Sequence, residues 1–73
     1  MIEVRFFATL RDGRGKIAQV PAAEAATAGD LLRRFEIPEE EVAILLINGF
    51  HSKPEDPVKD GDVISLFPPV GGG

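Results

Sequence analysis

One short stretch of this sequence has the spacing of an amphipathic helix, and segments that alternate like β-strands lie on both sides of it. Leu31, Leu32 and Phe35 share one face of that helix. Thr27 is placed to cap its start, with Asp30 three residues on as an imperfect capping box, and a proline three residues past Phe35 makes continuation unfavourable. Since one helix can cover only one face of a sheet, the sequence predicts a two-layer α+β fold.

The N-terminal segment predicts a β-hairpin. Its first strand has a period of two, and the side chains expected to face the helix are Ile2, Val4, Phe6 and Ala8. The loop RDGRGK carries two glycines and four charges and leads into a second strand over residues 17–20.

The C-terminal half predicts two strands and a possible third. Residues 42–47 form an apolar, β-branched run, and the turn dipeptide Asn48-Gly49 follows directly. A short strand is expected over 50–52 and the final strand over 62–67, where two prolines end it by withholding backbone donors. The prediction is a mixed four- to five-stranded sheet with one main helix across one face.

Size and composition restrict the chemistry. A chain of 73 residues forms one domain with one core and is too small to enclose a deep pocket with its own catalytic groups. The absence of cysteine excludes thiol nucleophiles and thiolate metal sites, and the triple Glu at 39–41 has no partner at metal-ligand spacing, so we expect a solvated turn and no metal. The net charge of −4 argues against nucleic-acid binding and for a locally basic protein partner, unless it serves only solubility.

Membrane association is not expected. The longest apolar run, VAILLI, has six residues, whereas a membrane span needs about 20. No positively charged leader precedes an apolar segment, so the expected location is the cytoplasm.

A partner-binding surface is predicted on the sheet face that the helix leaves uncovered. Phe7 projects from that face if its even-numbered neighbours point inward, and the same parity places Phe67 there. In the central strand, either Leu46 or Leu45 joins them, depending on the register. A single exposed Phe is ordinary, but two together beside the C-terminal tail favour a docking surface formed by Phe7, Phe67 and Leu46.

The sequence ends FPPVGGG, which predicts a domain over residues 1–67 and a flexible tail over 68–73. Pro68 and Pro69 restrict the exit direction of the tail, which reaches at most about 20 Å when extended. Residues expected to insert into a partner are Pro68, Pro69, Val70, Gly71 and Gly72, because glycine fits a channel too narrow for side chains. The Gly73 carboxylate can attack the α-phosphate of ATP; the alternative is a frayed, functionless end.

Three segments resemble a known family: MIEVRFFATLRD, VAILLING and PVKDGDVISLFPPVGGG. Over its whole length the chain resembles the ubiquitin-like β-grasp sulfur carriers, above all the small subunit of molybdopterin synthase, and also the ThiS-type carriers. The most specific element is the combination of KDGD, an apolar strand, FPPV and the final Gly-Gly. In that family, apolar residues next to the tail contact the large subunit, and they correspond here to Phe7 and Phe67.

The resemblance implies a three-step cycle. A ubiquitin-activating-like adenylyltransferase uses ATP to adenylate Gly73, a sulfur donor protein converts the carboxylate to a thiocarboxylate, and the tail enters the large synthase subunit. Sulfur then passes to a pterin precursor of the molybdenum or tungsten cofactor. The chain would be the sulfur-donating subunit of a sulfurtransferase complex, not catalytic alone and with no bound cofactor.

Two departures from the family pattern stand out. Gly71 occupies a position where relatives place Thr, Ser or Ala, and His51 occupies one where an apolar partner-facing residue is expected. We assign no role to His51. Two further functions use the same tail: a sulfur carrier for thiamin thiazole or another sulfur metabolite, and a ubiquitin-like modifier joined to lysines through Gly73.

Overall fold

A computed structural model describes residues 1–69 and contains a five-stranded mixed sheet with one α-helix across one face. The elements are β1 (Ile2–Phe6), β2 (Ile17–Val20), α1 (Ala28–Arg34), β3 (Ile44–Ile47), β4 (Phe50–His51) and β5 (Val63–Phe67). Single 3₁₀ turns lie at Ala8–Arg11, Ala22–Glu24 and Glu39–Glu41. The predicted α+β architecture is confirmed.

The sheet has the strand order β2-β1-β5-β3-β4. Strands β1 and β5 pair in parallel, and the other three pairs are antiparallel. The last strand therefore lies in the middle of the sheet, beside the first. This is the β-grasp arrangement that the resemblance implies, and it places the end of β5, after which the predicted tail begins, next to the end of β1.

The core lies between α1 and the sheet. Its members come from every strand except the two-residue β4, and from the helix and its flanks, so one continuous cluster holds the two layers together. The largest fully buried side chains are Phe6, Ile2, Leu31, Leu32, Ile64, Leu66, Val4 and Val20. Phe35, which ends the helix, packs edge-on against Phe6 with ring centroids 5.0 Å apart.

The helix begins with a complete capping box. The Thr27 hydroxyl accepts a hydrogen bond from the Asp30 amide, and the Asp30 carboxylate accepts one from the Thr27 amide. The predicted cap is confirmed, with Asp serving where Glu is usual. Hydrogen bonds from the Ala26 and Thr27 amides, and the neighbouring Arg33, lower the pKa of Asp30. The cap is therefore fully formed at neutral pH and weakens as the carboxylate becomes protonated in acid.

The structure corrects several predicted boundaries. β1 ends at Phe6 and Ala8 is exposed rather than facing the helix, because the backbone turns away from the sheet there with a φ of 52° at Ala8. The central strand begins at Ile44 instead of residue 42, and the final strand begins at Val63 instead of residue 62. Asn48 and Gly49 form the expected turn, both with positive φ, and the short strand after them stops at His51.

We predict that Leu31→Ala destabilises the protein by about 2 to 5 kcal/mol, because the Leu31 side chain is fully buried and its removal leaves a cavity. The free energy of unfolding in urea measures this loss. Arg33→Ala, on the exposed side of the same helix, is the control and should cost less than about 1 kcal/mol. Equal losses for the two variants would contradict the assigned core.

Candidate functional site

The uncovered sheet face carries the predicted docking residues. The register pairs Val4 with Ile64 and Phe6 with Leu66, all buried towards the helix. The residues that follow the second pair, Phe7 and Phe67, therefore lie on the opposite face, as predicted. The same reasoning settles the open choice in β3: Leu45 is buried, and Leu46 lies on the outer face beside Ser65 and His51.

Phe7 and Phe67 stack on each other. Their ring centroids are 4.2 Å apart and the ring planes differ by 12°. The Arg11 guanidinium lies over the Phe7 ring, 5.5 Å from its centroid. The two rings are half-buried rather than fully exposed, because each covers part of the other. The pair forms a flat aromatic platform where β5 leads into the tail.

A groove of about 330 Å³ surrounds this platform and the base of the tail. We call it the tail-root groove; its lining is Phe7, Ala8, Thr9, Ala43, Ile44, Phe67, Pro68 and Pro69. Every one of these side chains is uncharged, and Thr9 alone carries a polar group. The groove is therefore suited to binding an apolar surface, and none of its described lining side chains is titratable.

Sequence reasoning did not single out Ile44, which lines the tail-root groove. Its side chain is 40% exposed on the outer face, and it pairs across the sheet with Phe67. The parity of β3 could have revealed it, because Ile44 is two residues from Leu46 and shares its face. Leu46 is on the predicted face but does not line the tail-root groove.

The predicted tail residues fall into two groups. Pro68 and Pro69 are described and lie in the tail-root groove, directly after β5. Val70, Gly71, Gly72 and Gly73 lie outside the described residues. The structure thus locates the base of the proposed tail, while the role of the glycines rests on the sequence.

A second cleft, of about 410 Å³, lies near the β3–β4 turn at Phe50. One carboxylate of its lining is satisfied internally: the buried Asp62 side chain accepts hydrogen bonds from the Asn48 side chain and the Lys59 amide, each 2.9 Å long. Phe50 is 75% exposed, yet it is not part of the tail-root groove.

Residues 1–69 contain neither a cluster of metal ligands nor a helix that could cross a membrane. In this part of the chain, no three His, Cys, Asp or Glu residues are grouped to hold a metal ion. Over the same residues, none of the helices combines the length and the apolar character that crossing a membrane requires.

The fold is that of a ubiquitin-like β-grasp domain, because the first and last strands pair in parallel and a single helix covers one face of the sheet. The apolar tail-root groove lies at the end of its last strand. The chain belongs to the ThiS family, whose model matches residues 4–73. This family of ubiquitin-like sulfur carriers and modifiers includes the molybdopterin-converting factor small subunits, so the resemblance stated from the sequence is confirmed.

Three relatives show the range of this family. Small archaeal modifier protein 3 of Haloferax volcanii is 36% identical over 90 residues, covering 99% of this chain and 98% of the relative. The crystal structure of SAMP1 from the same organism has a TM-score of 0.76 at 26% identity, covering 99% and 98% of the two chains. A chain in the complex of subunits 1 and 2 of the molybdopterin-converting factor from Helicobacter pylori has a TM-score of 0.64 at 31% identity, covering 99% and 97%.

Proposed function

We propose that this chain is the sulfur-carrying small subunit of a molybdopterin synthase, with the sulfur held as a thiocarboxylate at Gly73. The observation that carries the proposal is the apolar groove at the base of a Pro-Pro-Val-Gly-Gly-Gly tail. The likeness to a molybdopterin-converting factor chain that is itself found in a complex of subunits 1 and 2 supports it.

The groove favours docking over catalysis. Its lining combines the stacked Phe7 and Phe67 rings with Ile44, and it contains no titratable side chain. A partner that binds these apolar groups gains burial at the point where the tail leaves the domain. Docking there holds the start of the tail, while glycines without side chains can enter a narrow active site.

Activation of the carboxylate requires a second enzyme and ATP. One carboxylate oxygen of Gly73 bonds to the α-phosphorus of ATP as the bond from that phosphorus to the β-phosphate oxygen breaks, and pyrophosphate leaves. A persulfide on the donor protein then displaces AMP and forms an acyl disulfide. A thiol reduces this disulfide, releasing the thiocarboxylate and leaving the donor sulfur oxidised in a new disulfide.

Intact mass spectrometry tests the proposal. The protein is incubated with the adenylyltransferase and sulfur donor of its own organism, with and without ATP. We expect an ATP-dependent gain equal to the mass difference between sulfur and oxygen, on a chain whose last residue is Gly73. The product, mixed with the large synthase subunit, should then convert a pterin precursor. No gain with ATP would contradict the carrier function, and transfer only to a thiazole precursor would contradict the molybdopterin assignment.

A second candidate function is protein modification through Gly73. It is favoured by the 36% identity, over almost the full length of both chains, to a protein named as a small archaeal modifier. The last basic residue of this chain is Lys59, so trypsin would leave residues 60–73 attached to any modified lysine. Recovery of such branched peptides from the host organism would support the modifier function, and their loss in a strain lacking the activating enzyme would identify the route.

A further inference from the structure

A cluster of basic residues lies directly beside the tail-root groove. Arg5, Arg11 and Lys16 line a cleft of about 210 Å³ together with Phe6, Phe7 and Ile17. Phe7 belongs to this cleft and to the tail-root groove, so the two surfaces are continuous. We call the three cations and Ile17 the basic corner.

The basic corner has the opposite sign to the rest of the chain. Residues 1–20 carry four basic and two acidic side chains, whereas residues 21–73 carry four basic and ten acidic ones. The net charge of −4 is therefore the sum of a positively charged N-terminal segment and a negatively charged remainder. The expectation of a basic partner, drawn from the net charge, does not apply to the surface next to the tail.

The cations of the corner differ in what they already bind. Arg5 is paired with Glu3, and its hydrogen bond to that carboxylate lowers the pKa of Glu3. Arg11 donates through Nε to the Phe6 carbonyl, 2.9 Å away, which leaves its two terminal nitrogens free of any hydrogen bond within residues 1–69. The Lys16 side chain makes neither a hydrogen bond nor an ion pair with any part of the described chain, and it is exposed.

Exposed apolar surface accompanies these charges. Ile17 is 54% exposed and pairs across the hairpin with Arg5, while the Phe7 ring continues the surface towards the tail. Cations interleaved with aliphatic and aromatic groups fit a protein surface that presents carboxylates around an apolar centre. A nucleic acid is a weaker fit, because Arg5 is paired with Glu3, Arg11 already contacts the Phe6 carbonyl and the Phe7 ring, and acidic residues outnumber basic ones in the chain.

We propose that the enzyme that activates Gly73 presents a segment bearing Asp or Glu side chains to the basic corner, where Lys16 and Arg11 bind it. This inference rests on the proposed adenylation of Gly73, and it goes further by specifying that the partner surface is negatively charged. The acidic segment would steer the encounter and set the orientation in which Phe7 and the tail dock.

Charge reversal at Lys16 tests this proposal. Lys16→Glu and the control Lys53→Glu change the net charge equally, and Lys53 lies in the loop between β4 and β5, outside both the groove and the corner. The measurement is the association rate with the activating enzyme over a range of salt concentrations. We expect Lys16→Glu to slow association about tenfold or more in low salt, and Lys53→Glu to change it less than about twofold. The difference should shrink as salt approaches about 1 M.

The variant keeps the fold, because the Lys16 carbonyl still accepts the Phe6 amide, 2.9 Å away, and thermal melting verifies this. Equal rates for the two variants would overturn the acidic-partner proposal while leaving adenylation of Gly73 intact. A faster rate for Lys16→Glu would do the same and would indicate a basic partner. Binding of a short oligonucleotide that Lys16→Glu abolishes would reassign the corner to nucleic acid. Failure of the wild-type protein to be adenylated would overturn the proposed function and this inference with it.

Discussion

Removing one glycine from the C-terminal run should abolish ATP-dependent activation and leave the fold unchanged. The shortened chain still ends in Gly-Gly, so the chemical character of its terminus is retained. Its carboxylate is drawn back by one residue, about 3.3 to 3.6 Å when extended. Because in-line attack on phosphorus requires the reacting atoms within about 3 to 3.5 Å, we expect the rate to fall by about 10²-fold or more, so that no gain of sulfur is detected in the time that the wild type takes to react. Intact mass after incubation with ATP and the sulfur donor measures it.

Gly71→Ser is the matched control for this deletion. It keeps the length of the tail and the final Gly-Gly and introduces a residue type that the family resemblance leads us to expect at this position. Activation should persist, whereas the shortened chain should not gain sulfur. Thermal melting of both variants should match the wild type. A shortened chain that gains sulfur as fast as wild type would contradict the placement of the reacting carboxylate at Gly73.

Phe7→Glu should weaken docking more than it weakens folding. The substitution removes one ring of the stacked platform and places a charge in an uncharged groove. Loss of a central aromatic contact typically costs about 2 kcal/mol or more of binding free energy, which is about 30-fold in Kd. Because the Phe7 ring is only half-buried in the free protein, the free energy of unfolding should fall by about 1 to 2 kcal/mol. Titration calorimetry with the large synthase subunit measures the loss of affinity, and urea unfolding measures the loss of stability.

Phe50→Glu separates the groove from general surface hydrophobicity. Phe50 is the more exposed phenylalanine, but it lies at the β3–β4 turn and outside the tail-root groove. Its substitution should leave partner affinity unchanged within about twofold. Should both variants lose affinity equally, the platform would have no special role. Should Phe7→Glu lose several kcal/mol of stability, Phe7 would be a core residue.

The sequence predicted those features that depend on local chemistry or on strict alternation. Thr27 and Asp30 are three residues apart, so their cap follows from spacing alone. The outward position of Phe7 and Phe67 follows from the inward position of Phe6 and Leu66. Which of Leu45 and Leu46 faces outward followed only from the register with β5. In a continuous apolar run, no alternation of polar and apolar residues marks the two faces.

Features that depend on the path of the chain in three dimensions could not be predicted. Ala8 continues the alternating pattern, yet the backbone turns there, because the chain must leave the sheet to form the 3₁₀ turn. The basic corner joins Arg5, Arg11 and Lys16 through the hairpin, so it is visible only once β1 and β2 are paired. The stacking of Phe7 on Phe67 likewise requires the parallel pairing of the two most distant strands.

The two stacked rings come from opposite ends of the chain, one just after the first strand and one at the close of the last. A copy that lacks the first strand, or in which the first and last strands are not paired, can possess the glycines but cannot form this platform. An enzyme that must bind both the platform and the glycines would adenylate only folded molecules. Selection of folded molecules would then require no separate protein, because the recognised platform exists only when the first and last strands are correctly paired.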